Sequence, residues 1–358
     1  MTGASSVPPE IAAALLLLEK MGLTVDDLAL VKSADVVSAP TFAEFVPRLR
    51  TMVKPGTLKA YGSYWNKLVA CWSDRRIDEP THMELMALGE ELRANRVRRR
   101  NGRNGDGTVE NFVGAVRFLY RQARDEGLLS TERDPSRKLE KPRRPSSLRK
   151  PLVSERFAQL AETAAATGDD PELDRLIIRL HAETACRRGG ALALRPADLD
   201  VEQCLVLLRE KDGSDRWQPV SPTLMGYLLD HATSRNAAPH ERLLRYRDGR
   251  PVTYRRWDHL FERLGRHLPW VARQNVSSHW IRRTILHWVE RTFGYAIARR
   301  YAGHEDNQAR GASHDVGTTI IYVAATLAEV AAALSVLTGD IHPLADQQLV
   351  TRHGGEAV

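Results

Sequence analysis

Apolar residues recur along most of this chain at three- and four-residue intervals, the spacing of helices with one buried face. The first such stretch, "IAAALLLL" at 11–18, predicts a short amphipathic helix ending near Gly22. It lies in residues 1–40, which read as a separate N-terminal extension. Four longer helices are predicted over 41–133. "TFAEFVPRLRTM" opens on Thr41 with Glu44 three residues later, a capping box. "KPGTLKAYGSYWNKLVACW" sets Leu58, Tyr61, Trp65, Leu68 and Cys71 or Trp72 on one stripe, with Thr57 as its cap. "HMELMALGEELRANRV" follows. "TVENFVGAVRFLYRQARDEG" is stopped by Gly127, a residue suited to a helix C-terminus. Four helices this close together predict a small bundle.

The pattern then changes. "DPSRKLEKPRRPSSLRKP" (134–151) holds four prolines among lysines and arginines and reads as an extended basic linker. A second domain is expected over 152–340. "SERFAQLAETAAAT" and "PELDRLIIRLHAETA" are helical, whereas "CLVLLRE" and "DRWQPV" flank Asp212-Gly213 as a β-hairpin. Helices resume at "TLMGYLLDHA" and run to Leu337; residues 341–358 form a tail. The expected class is mostly α with a small β-hairpin or sheet, in two domains. No apolar run approaches the length of a membrane span. No basic segment or small-residue cleavage site flanks residues 11–18, so no signal peptide is expected. The three cysteines lack metal-ligand spacing, which points to a reduced, cytoplasmic compartment.

Charge sharpens this picture. The chain carries a net +7, with 52 Lys+Arg against 45 Asp+Glu. Residues 41–150 hold 24 Lys+Arg and 14 Asp+Glu, while 151–358 hold 26 of each. One segment therefore carries the whole positive excess, as a module for a polyanion would, most simply nucleic acid. Its candidate contacts are Arg98, Arg99 and Arg100 in the glycine-rich loop "RRRNGRNGDG", and Lys141, Arg143 and Arg144 in the linker. A solvated arginine-rich surface and a plain hinge are the alternatives. The acidic N-terminal 40 residues either meet an accessory partner or cap the bundle.

"SSHWIRRTILHW" (277–288) poses a chemical question. Ile281, Ile285, Trp288 and Val289 give it an apolar face, but His279, Arg282 and Arg283 crowd its first turn. Helix N-termini favour anions, and each cation there costs about 0.3–1 kcal/mol. Such a cluster suits a bound phosphate. Three further stretches stand out. "TACRRGGALALRPADLD" sets Arg187 after an apolar helix, where it needs an anionic partner or forms a structural salt bridge. "EKDGSDRWQPV" puts Lys211 at the hairpin turn. "RRYAGHEDNQARGASHDVGTTIIYVAAT" carries His304 after Gly303, and Tyr322 after "TTII". A metal site at His304, Glu305, Asp306, His314 and Asp315 is a minor alternative.

In this order the stretches resemble the tyrosine recombinase (phage integrase) family. The resemblance covers about 152–340, with "VGAVRFLYRQARDEGLL" similar to the family's helical core-binding domain. It implies a two-domain clamp on duplex DNA that cuts and rejoins strands site-specifically through a 3′-phosphotyrosyl intermediate. Tyr322 would be the nucleophile, Arg187 and Arg282 the phosphate clamp, and Lys211 the acid for the 5′-oxygen. His279 would handle the tyrosine proton and His304 would bond the phosphate. No metal or other cofactor is implied, and the working form would be a homo-oligomer, a tetramer on DNA. The helix "LAEVAAALSVL" would dock on a neighbouring protomer, or else on its own domain. Three departures stand against the pattern. Gly190 occupies a position where the family usually has an acidic residue, Arg283 replaces a common histidine, and 18 residues separate His304 from Tyr322. Tyr301 is the alternative nucleophile. A type IB topoisomerase and a catalytically inactive DNA-binding protein are the competing functions.

Overall fold

The computed structural model describes residues 9–24, 39–96, 103–143, 151–210, 215–304 and 325–354. Arg98, Arg99, Arg100, Arg144, Lys211 and Tyr322 lie outside them. The chain divides into two units, residues 1–146 and 147–358. Helix α1 (Pro9–Lys20) forms as expected and ends before Gly22, which takes a left-handed φ of +66°. Its apolar residues Ile11, Leu16, Leu17 and Met21 are exposed.

The first unit is a bundle of α2 (Phe42–Met52), α3 (Pro55–Trp72), α4 (His82–Ala94) and α5 (Asp106–Asp125). The Thr41–Glu44 capping box is present, and Thr81–Glu84 forms a second one. Thr57 is not a cap: Lys54 holds that position and Pro55 opens α3, where its missing N–H has no partner to lose. The apolar stripes converge on Phe42, Phe45, Leu49, Trp65, Leu68, Phe112 and Leu119. Two buried polar tips lock the bundle. Trp65 Nε1 donates to the Ala115 carbonyl at 3.0 Å and the Tyr120 hydroxyl to the Ile77 carbonyl at 2.7 Å. Residues 134–139, expected to begin an extended strap, instead form a turn capped by Asp134, and Leu139 joins the bundle core. Leu139 is apolar and finds a pocket, which outweighs the prolines around it. Lys141 and Arg143 are exposed.

In the second unit α6 (Ser154–Ala166) and α7 (Pro171–Thr184) lead into α8 (Arg188–Ala193) and a three-stranded antiparallel sheet. Its strands are β1 (Leu199–Asp200), β2 (Leu205–Arg209) and β3 (Asp215–Pro219). The expected hairpin is β2–β3, registered from Leu205↔Pro219 to Arg209↔Asp215. β1 escaped the sequence reading because two residues carry no alternation. Helices α9 (Pro222–Ser234), α10 (Tyr254–His267), α11 (Pro269–Gln274), α12 (Ser278–Phe293), α13 (Tyr295–Tyr301), α14 (Leu327–Thr338) and α15 (Gln347–His353) complete it. Helix α14 buries Val330, Ala333 and Leu334 in the core of its own unit. Asp174, wholly buried, pairs with Arg256 at 2.8 Å and with Arg263 and pins α7 to α10.

Candidate active site

The site is built on the C-terminal end of α7. The last carbonyls of any helix lack intrahelical donors, and that end carries partial negative charge. Here Ala185 takes a left-handed φ of +46°, which ends α7 and turns the chain. A non-glycine residue pays about 1–2 kcal/mol for that conformation. Gly189 and Gly190 lie inside the next helix, α8. Three successive carbonyls are then taken by three donors. Glu183 O accepts the Tyr301 hydroxyl, Thr184 O accepts Arg216 Nη2 at 3.3 Å, and Ala185 O accepts Arg282 Nη1.

Arg282 projects from the first turns of α12 and is 5% exposed. Its second fork nitrogen donates to Ala302 O at 2.7 Å. Burial, with the Arg187 and Arg216 charges adding to it and Glu210 opposing, pushes its pKa down to about 10, so it stays cationic at neutral pH. Arg216, from β3, is lowered too, first by burial. Its Nε and Nη1 meet no hydrogen-bond acceptor among the described residues. Arg187 caps α8 and remains partly exposed. Glu210, one residue past β2, has a side chain 1% exposed and faces all three arginines. It bonds Arg187 Nη1 directly and lies 3.9 Å from Arg216 Nη1 and 4.0 Å from Arg282 Nη1.

His304 follows α13 in a Schellman turn. Gly303 N–H reaches Arg300 O at 2.9 Å and His304 N–H reaches Arg299 O at 3.1 Å. Gly303 is required twice, by its φ of +67° and because a Cβ there would sit 2.6 Å from Arg216 Nη1. Burial, then the charges of Arg282, Arg187, Arg299 and Arg216, lower the pKa of His304 and hold it neutral. His279 is exposed on the first turn of α12, one turn before Arg282. That turn holds no acidic residue and Ser277 makes no side-chain cap. Tyr301 is removed as a nucleophile: it is fully buried, its hydroxyl is spent on Glu183 O, and burial raises its pKa.

His181 escaped the sequence reading because a buried histidine on an apolar face has no distinguishing pattern. It accepts from Trp257 Nε1 at 2.8 Å and, with that nitrogen occupied, donates from Nδ1 to Cys186 O at 3.1 Å, fixing the backbone before Arg187. Burial pushes its pKa down to about 4. Between about pH 6.5 and 4 the unfolded chain takes up this proton and the folded one does not. Stability contributed by the neutral ring is therefore complete above pH 6.5 and falls as pH drops, by about 3 kcal/mol in full. Urea unfolding should show this fall, and His181→Gln should be less stable at pH 7.5 with a shallower pH slope. An unchanged slope would refute it.

Arg187, Arg282 and His304, predicted from the sequence, thus lie around one cluster, which gains Arg216 and Glu210. Fold and cluster together define a mostly helical domain with three arginines gathered around one buried carboxylate. Residues 152–325, just under half of the chain, match the phage integrase family. A curated relative, tyrosine recombinase XerC of Chlamydia trachomatis, is 23% identical over 187 residues, 49% of this chain and 59% of the relative. The chain thus matches about three fifths of that relative's length. Among solved structures, a lambda integrase tetramer bound to a Holliday junction has a TM-score of 0.55 at 14% identity, covering 88% of this chain and 92% of that one. The Tn1549 transposon integrase in complex with transposon right end DNA has a TM-score of 0.57 at 14% identity, covering 79% and 99%. These likenesses show that the chain shares the fold of the lambda and Tn1549 integrases. Among the described residues no group of His, Cys, Asp and Glu has metal-ligand geometry, and no helix is long and apolar enough to cross a membrane.

Proposed function

We propose that this chain is a site-specific DNA recombinase that cuts and rejoins strands through a 3′-phosphotyrosyl bond. The observation that carries the reading is the arginine cluster at the end of α7, set within a phage integrase domain. Arg187 and Arg282 present planar forks to the non-bridging oxygens of a scissile phosphate, whose negative charge grows as it is attacked. Arg216 adds donors without partners. Tyr322 attacks phosphorus, and the 5′-oxygen leaves with a proton from Lys211. His279 receives the tyrosine proton, and neutral His304 bonds a phosphate oxygen. The tyrosyl ester conserves the energy of the broken bond, so religation needs no ATP. The protein works in the cytoplasm as a homo-oligomer, a tetramer on paired sites. Its three cysteines are free, as a reducing compartment requires, and the lambda integrase of similar fold is seen as a tetramer on a Holliday junction.

Covalent capture tests this reading. The protein is mixed with sheared genomic DNA from the source of the sequence and denatured, and attached DNA is isolated and its ends sequenced. Adducts on 3′ ends at one sequence are expected; adducts scattered over all sequences would instead indicate a topoisomerase, and no adduct a binding protein.

The basic first unit supplies affinity. Arg98, Arg99, Arg100, Lys141, Arg143 and Arg144 contact phosphates, each neutralised phosphate releasing counterions. Alanine at both Lys141 and Arg143 should lower the slope of log affinity against log salt by about 2. A filter-binding series in salt measures it, and an unchanged slope would remove both residues from the interface.

A further inference from the structure

We propose that Glu210 is the positioning residue of the oxyanion site, holding Arg187 in the orientation a phosphate requires. The proposal rests on the strand-exchange reading above. Glu210 is the single acidic side chain that the described residues bring to Arg187, Arg216 and Arg282 together. Both of its oxygens are used on Arg187: Oε1 accepts the backbone N–H at 2.6 Å and Oε2 accepts Nη1. One carboxylate thus fixes the residue at two points, main chain and guanidinium, and thereby its side-chain rotamer.

The three arginines depend on it unequally. Arg282 rests on the carbonyls of Ala185 and Ala302, and Arg216 on that of Thr184. Arg187 has no carbonyl support among the described residues; its side chain is 38% exposed and Glu210 is its partner. Without that anchor a long, half-exposed side chain explores several rotamers, and misplacement of a catalytic group by 1 Å costs about 10²-fold in rate. The carboxylate also leaves the cluster cationic. Three guanidinium charges against one carboxylate keep an excess of two for the incoming oxyanion.

The facing residue makes room for this arrangement. A Cβ on Gly190 would stand 3.2 Å from Glu210 Cγ and 3.4 Å from Oε1, tighter than ordinary contact. The carboxylate therefore reaches Arg187 from the strand side because the helix side, three residues after Arg187, is a glycine. Glycine at 190 thus leaves the Glu210 side chain the space it occupies.

The test follows three quantities in each variant: initial adduct formation at saturating sheared genomic DNA, retention of the same DNA on filters, and thermal unfolding. Glu210→Gln should lower adduct formation about 100-fold while retention stays within about two-fold. Glu210→Asp keeps the charge one methylene short of Arg187, carries the test should the glutamine variant not fold, and should lose about 10-fold. The swap Gly190→Glu with Glu210→Gly returns the carboxylate from the helix side and should recover most of the loss. A merely structural role predicts instead that retention and unfolding temperature fall with the rate and that the swap restores nothing. Folded Asp and Gln variants with the wild-type rate overturn the proposal and leave the recombinase reading intact. A wild-type protein that forms no adduct overturns the reading itself, and the role of Glu210 with it.

Discussion

Phenylalanine in place of Tyr322 should abolish covalent capture of DNA, by on the order of 10⁴-fold or more, while non-covalent retention stays unchanged. The substitution removes one oxygen and keeps the ring, so a variant that binds but never attaches isolates the nucleophile from the interface. The assignment rests on the position of "TTIIY" in the sequence and is strengthened by elimination at Tyr301. The Tyr301 hydroxyl donates to the Glu183 carbonyl, its ring is fully buried, and burial holds its proton on well above neutral pH. Ionising it would break the bond that closes the end of α7. Covalent adducts in the Tyr322→Phe variant, mapped by peptide analysis, would transfer the role to another tyrosine. Neither Cys186 nor Cys204 is a substitute nucleophile: both are buried, and burial pushes the Cys186 thiol up to about 11.

The sequence showed most of the helices because their buried faces repeat at 3.6 residues, and it singled out Arg187, His279, Arg282 and His304 because the stretches that hold them follow the order of the family they resemble. What it did not show are interactions made across the fold. Glu210 precedes a hairpin turn and looks like any polar residue there; only the closing of β2 onto the start of α8 brings it to Arg187. Arg216 alternates outward and inward with Trp217 on β3, so its burial follows from register, which two-residue periodicity alone does not orient. Thr57 was read as a cap because threonine favours that role, whereas Pro55, two residues earlier, sets φ and starts the helix first. Ala185 carries no sign of its left-handed turn. Alanine is chosen nowhere for that conformation, and here the carbonyl bonds to Tyr301, Arg216 and Arg282 over-determine it.

Among the cations at the start of α12, Arg282 alone is buried, with its fork on the carbonyls of Ala185 and Ala302. Arg282→Ala should lower adduct formation at saturating DNA by about 10²–10³-fold, the loss expected for one preorganised oxyanion donor. It should also destabilise the second unit by about 2 kcal/mol or more, because the buried carbonyls of Ala185 and Ala302 lose their donors. Arg282→Lys separates the two effects. Its single ammonium retains the charge but does not span two carbonyls and an oxyanion at once, so the rate should fall nearly as far while stability recovers in part. A lysine variant with full activity would show that charge alone is needed and that the fork is not. Full loss with Lys would mean that the fork of Arg282, and not its charge alone, is what the site needs. The cost of that cation near a helix N-terminus is offset by the carbonyls of Ala185 and Ala302, which both accept from it.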